Sequence, residues 1–184
     1  MKFRTLLPVS IVFFWFLFWG MSPLMAQTAE TDLQVKIQTE NVWKLPAAGS
    51  SAMVPFTVEI TNLSEKAMRF PLYGATKVSL TDDTGKPVPV EAVAAPLSGR
   101  NANSEEVAPG SSFTYKYQAA IIFDRYQNLL LVLRDQFGNT DQIGPLSKGG
   151  YQVSLKYRNP SLPATEKGVW SGTAEVAPVS IKID

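Results

Sequence analysis

Gly150-Tyr151-Gln152-Val153-Ser154-Leu155-Lys156-Tyr157 alternates without a break, with Tyr151, Val153, Leu155 and Tyr157 on one side and Gln152, Ser154 and Lys156 on the other. Successive side chains of an extended chain point to opposite faces, so a period of two predicts a strand with one face on a core and the other in water. The pattern recurs in both directions from here. Leu33, Val35 and Ile37 alternate with Gln34, Lys36 and Gln38, and Phe56, Val58 and Ile60 with Thr57, Glu59 and Thr61. Phe113, Tyr115 and Tyr117 repeat it, and Val179, Ile181 and Ile183 close the series. Past the N-terminal segment no stretch has apolar residues at the 3.6-residue helical period with caps at its ends. Short alternating runs spaced roughly ten residues apart, with turn residues between them, predict an all-β sandwich.

The connections read as clearly as the strands. Asn62 to Lys66 is a turn before a short strand around Met68 to Leu72. Val78 and Leu80 run into Asp82-Asp83-Thr84-Gly85, and Val88 and Val90 lead back out, which predicts a hairpin because Asp caps its own turn and Gly takes a positive φ. Phe137-Gly138-Asn139 is another turn. Ile121 to Phe123 and Leu129 to Leu133 are unbroken apolar runs that suit a strand buried on both faces, with helix as the alternative. Ala94 to Ser104 and the Pro-rich stretch from Asn159 to Trp170 are the two longest loops.

Leu146-Ser147-Lys148-Gly149-Gly150-Tyr151 has the form of a tyrosine corner, in which a tyrosine opening a late strand of a Greek-key sandwich returns its hydroxyl to backbone a few residues upstream. A buried phenol needs such a partner. Either as a corner or as a plain core aromatic, Tyr151 is structural.

The N-terminus reads as a targeting segment. Lys2 and Arg4 precede the apolar run Ile11 to Trp19, and Gly20, Ser22 and Pro23 break any helix before Leu24-Met25-Ala26. This is the layout of a secretory signal peptide, with cleavage expected after Ala26. An uncleaved anchor is the alternative, but the run is shorter than the roughly 20 apolar residues needed to cross a bilayer. The expected organisation is a signal peptide at 1–26 and a single β-sandwich domain at 27–184. Its compartment is the bacterial periplasm or exterior, and only the signal or anchor would touch a membrane. A lipid-modified cysteine anchor is excluded because the chain has no cysteine.

Losing the first 26 residues removes two cations and no acid, so the formal charge of +1 becomes −1, with 15 basic against 16 acidic residues. The two signs are interspersed, which leaves no basic patch for nucleic acid. With neither histidine nor cysteine in the chain, the usual nucleophile and general-base schemes are closed, and so are the usual zinc, copper and haem ligand sets. No serine is followed three residues later by the lysine of a Ser–Lys hydrolase. Asp83-Thr84-Gly85 matches the aspartic-protease triplet, yet Lys86 and Pro87 follow it and no second copy exists, so a hairpin turn is the simpler reading. Asp82 and Asp83 fit no calcium-loop spacing. The sequon Asn62-Leu63-Ser64 falls at a strand end and reads as a coincidence. No catalytic residue, cofactor or metal is assigned, and the expected activity is non-catalytic binding of a protein partner.

Phe56-Thr-Val-Glu-Ile-Thr-Asn62, Val78-Ser-Leu-Thr-Asp-Asp-Thr-Gly85, Ala108-Pro-Gly110, Gly150 to Tyr157 and Val169-Trp-Ser-Gly172 follow one another in an order that resembles bacterial exported immunoglobulin-like domains. Among named families the chain is similar to BsuPI-type proteinase-inhibitor domains, which share the strand ending in Asn and the Asp-x-x-Gly hairpin. The resemblance implies an immunoglobulin-like Greek-key β-sandwich. It also suggests a second functional reading, a proteinase inhibitor; the resemblance places no inhibitory loop, and loop composition alone makes Ala94 to Ser104 the candidate, with Arg100 as the specificity residue. For partner contact the residue singled out is Trp170, set beside Gly168, Ser171 and Gly172 in a loop, where it is either an exposed anchor or part of the core. Trp43, after the first strand, is expected to cover one end of the core.

Overall fold

Where the sequence alternates, the chain is extended and paired. A computed structural model describes residues 26–30, 32–93, 104–159 and 168–184, and every regular element in them is a β-strand. In chain order these are β1 (Ala26–Glu30), β2 (Leu33–Thr39), β3 (Val42–Trp43), β4 (Ser51–Val54), β5 (Phe56–Asn62), β6 (Met68–Pro71) and β7 (Thr76–Asp82). There follow β8 (Val90–Val93), β9 (Ser104–Val107), β10 (Ser112–Phe123), β11 (Leu129–Asp135), β12 (Thr140–Leu146), β13 (Gly149–Arg158) and β14 (Thr173–Ile183). The expected signal or anchor segment lies outside the described residues, among which no helix is long and apolar enough to cross a membrane.

The larger sheet runs β1-β2-β5-β10-β11-β12-β8, with β4 beside the second half of β10, and the smaller runs β3-β14-β13-β7. All pairings are antiparallel except the short parallel contact of β3 with β14, while β6 and β9 form a separate ribbon. Residues from both sheets share one apolar core. Val35, Ile37, Val58, Ile60, Ile121, Leu131 and Leu133 come from the larger sheet and Val78, Leu80, Val153, Leu155, Val179 and Ile181 from the smaller. Burying each such side chain contributes roughly 1.5–3 kcal/mol, which stabilises a sheet pair with no disulfide. Trp43 is buried in the core, its indole N–H donating to Thr39 Oγ1 at 3.2 Å.

Several sequence readings change on pairing. The apolar run Ile121 to Phe123 continues the alternating run before it, so both are the single strand β10, and no helix forms there or at Leu129 to Leu133. Nor is β11 buried on both faces. Its inward Leu129, Leu131 and Leu133 are buried while the outward Leu130 and Val132 are half-buried. The turn after β7 forms as expected, with Asp82 N–H on Lys86 O and Val88 N–H on Leu80 O, but the chain then leaves the smaller sheet and Val90 pairs with Ile143 in the larger one.

Three hairpin turns are built alike on an aspartate. Asp82, Asp124 and Asp135 each accept at Oδ1 from the backbone N–H groups two and four residues on: Thr84 and Lys86, Tyr126 and Asn128, Phe137 and Asn139. The residue three positions on takes a positive φ, at Gly85 (83°), Gln127 (65°) and Gly138 (85°). The Thr84 hydroxyl foremost, then the Lys86 N–H, hold the Asp82 carboxyl below its ordinary pKa. Asp82 thus serves its own turn, and Asp83-Thr84-Gly85 is an exposed tip. Asn62 is fully buried, its Nδ2 donating to Lys66 O and Val107 O and its Oδ1 accepting from Ser64, so the sequon is a structural clamp.

Candidate functional site

Of the two residues singled out for partner contact, Trp170 is in the core. It is 4% exposed, with its ring centroid 5.2 Å from Tyr157 and 6.3 Å from Phe70, and the exposed-anchor reading is corrected on that ground. The cause is backbone pairing. Arg69 N–H donates to Gly168 O and Trp170 N–H to Arg69 O, so residues 168–170 lie along β6 and the indole turns inward. Arg100 belongs to 94–103, outside the described residues.

The structure brings a different set of residues together around β8. This four-residue strand ends the larger sheet, pairing with β12 on one side and with no other strand among the described residues on the other. Val90 is 37% and Val93 46% exposed. The register Val90↔Ile143, Glu91↔Gln142, Ala92↔Asp141, Val93↔Thr140, with Gly144 N–H on Pro89 O at 3.0 Å, makes Glu91 and Val93 the residues bonded to β12. The N–H and C=O groups of Val90 and Ala92 therefore point away from β12, to the side where no strand pairs among the described residues.

Beneath the inner face of this edge the two sheets part in a cleft of about 220 Å³. Tyr73 and Gly74, in the turn before β7, and Thr76 of β7 form one wall, and Ala92, Tyr117, Leu133, Asp135 and Asp141 of the larger sheet the other. Here the inward phase of the strands turns polar. Tyr117 donates to Thr76 Oγ1 at 2.5 Å across the cleft, and Tyr115 donates to Asp135 Oδ2 at 3.1 Å. Asn139 Nδ2 also reaches Asp135 Oδ2, at 2.7 Å, and Tyr73 donates to Asn139 Oδ1. Asp135 is fully engaged. Asp141, half-buried, accepts no hydrogen bond from the described residues. Burial first, and the Asp135 charge second, push its carboxyl above the ordinary aspartate pKa, against a weaker pull from Lys77. Burial likewise raises the phenols of Tyr115 and Tyr117.

The outer face of the same edge borders an open groove of about 550 Å³ lined by Glu91, Arg125, Tyr126, Leu130, Gln142 and Gly144. Gly144 has no room for a side chain, since a Cβ there would meet Leu130 Cδ2 at 2.5 Å and Leu129 O at 2.9 Å. Leu130 therefore lies flat along the groove. Tyr126 is 69% exposed under the Arg125 guanidinium, 4.7 Å from its ring centre. Further along this face Ile122 and Val132 are half-buried and Met53 is 70% exposed.

Sequence reasoning assigned no strand to Thr140–Leu146 and so passed over Asp141. The signal was there: Asp141 is two residues before Ile143, an acid at the inward phase of a period-two run. What Ala92 and Tyr73 face across the cleft has no local signature, because the turn before β7 leads into the smaller sheet and β8 belongs to the larger.

No family model matches the chain. No curated protein matches it. A crystal structure of a conserved hypothetical protein from Bacillus anthracis is similar over 64% of this chain and 92% of its own, at 10% identity and a TM-score of 0.30, too slight a likeness to carry an argument.

Proposed function

We propose that the chain is an exported, non-catalytic binding module, an immunoglobulin-like Greek-key β-sandwich behind a cleaved signal peptide, and that it takes a protein partner by strand addition at β8. The observation that carries the reading is the β8 edge with its outward Val90 and Ala92 backbone groups and a groove on each face. In strand addition, main-chain hydrogen bonds supply affinity and pockets for alternate side chains supply specificity. An edge bordered by a cleft on one face and a groove on the other has that form. Pro89 marks one end of it, so the added segment is short. Engagement of Asp82, Asp124 and Asp135 by their own turns supports the absence of catalysis, in a chain without histidine or cysteine. The tyrosine corner at Tyr151 supports the Greek-key assignment.

The test uses Ala92→Pro, which removes an outward N–H that no β12 carbonyl accepts. Proteins retained from the native envelope fraction by the wild type and lost by this variant, at an unchanged melting temperature, support the edge; equal retention rules it out. Mass spectrometry of the mature N-terminus tests export separately, with cleavage after Ala26 expected and an intact Met1 on membrane-bound protein contrary to it.

A further inference from the structure

We infer that the segment added to β8 carries a lysine or arginine opposite Ala92, whose cation is held by Asp141. This rests on strand addition at that edge and adds the chemistry of the partner. Ala92 and Asp141 are paired across β8 and β12 and share the inward face. A residue of the added strand opposite Ala92 takes the same face, two strand spacings or roughly 10 Å from β12. Among the described residues of the sheet, Ala92 is the one that stands between it and Asp141 on that face. A long side chain lying across the Ala92 methyl brings its charge to the carboxylate; a short or acidic one does not.

The surroundings favour a cation over any other group. Asp141 has no donor among the described residues, while neighbouring Asp135 has all of its donors and adds a second negative charge. Tyr73 and Tyr117 line the same cleft and give the stem of a lysine or arginine an aromatic surface to lie on. Lys77, the cation nearest in effect, is exposed on β7 and makes no ion pair with Asp141. On the outer face the flanking positions of the added strand lie beside Glu91 and Val93 of β8.

Three end-blocked, fluorescein-labelled peptides of alternating threonine and valine, identical except for a central Lys, Gln or Glu flanked by valines, test the assignment by anisotropy with the purified protein. The Lys peptide is expected to bind about tenfold more tightly than the Gln peptide at low salt, and the Glu peptide more weakly than either. Asp141→Asn is expected to erase the Lys-over-Gln preference while leaving Gln binding unchanged, and Ala92→Pro to weaken all three. Equal binding of Lys and Gln peptides, still lost in Ala92→Pro, overturns the cation assignment and leaves strand addition standing. Binding indifferent to Ala92→Pro, or absent for all three peptides, overturns both.

Discussion

The hydroxyl of Tyr151 closes on the backbone of Ser147 in both directions, accepting from its N–H at 2.9 Å and donating to its carbonyl at 3.1 Å. One phenol thereby satisfies both main-chain groups of a residue that enters β13 through a turn, and it ties the end of β12 to the strand that follows.

Tyr151→Phe keeps the buried ring and removes both bonds. The expected loss is about 1–2 kcal/mol, the cost of a hydrogen bond removed with its partners left behind. Urea unfolding should show a lower midpoint at unchanged slope. Ser147→Ala, which removes only the longer hydroxyl contact of 3.2 Å, should stay within about 0.5 kcal/mol of wild type.

Trp170→Ala empties a site walled by Tyr157 and Phe70 and should cost about 3–5 kcal/mol, as large-to-small core changes do. A melting temperature within a degree of wild type would return Trp170 to the surface and reopen it as a contact residue.

The three aspartate turns provide an internal comparison. Gln127 holds the left-handed conformation that Gly85 and Gly138 hold in the other two, at a steric cost glycine lacks. Gln127→Gly should stabilise by roughly 0.5–1 kcal/mol, and Gly85→Ala or Gly138→Ala should destabilise by about 1 kcal/mol. Thermal unfolding of the three variants reads the opposite signs directly.

Asp141 should act against stability. Its carboxyl is raised in the folded protein by burial and by Asp135, with Lys77 opposing. Between the ordinary aspartate pKa and that raised value the native state keeps a proton the unfolded chain releases, so stability falls as pH rises through the interval, and the penalty is complete above it. Asp141→Asn should therefore melt at a higher temperature than wild type at neutral pH, and the gain should vanish below about pH 3, where the aspartate is protonated in both states. A wild type more stable than the variant at neutral pH would show that the Lys77 attraction outweighs burial.

The strands around Leu33, Phe56, Phe113, Tyr151 and Val179 were legible because a period of two is local: each residue's face follows from its neighbour's. The Asp82 and Phe137 turns were legible for the same reason, since an aspartate and a left-handed residue three positions on need nothing beyond the turn itself. The turn at Asp124 was not marked, because Gln127 stands where the other two have glycine. β12 went unread because Asp141 interrupts its inward phase, and β9 went unread because it pairs with the expected short strand β6 away from both sheets. Trp170 was decided from outside its own segment, by hydrogen bonds to Arg69 that no spacing near residue 170 announces. So the sequence by itself determined an all-β chain, its main alternating strands and the chemistry it lacks, because composition and periodicity are properties of single segments. Only the tertiary structure decided that β8 ends a sheet, that Ala92 lies beside Asp141, and that a cleft opens between them and Tyr73, because those relations depend on which strands meet.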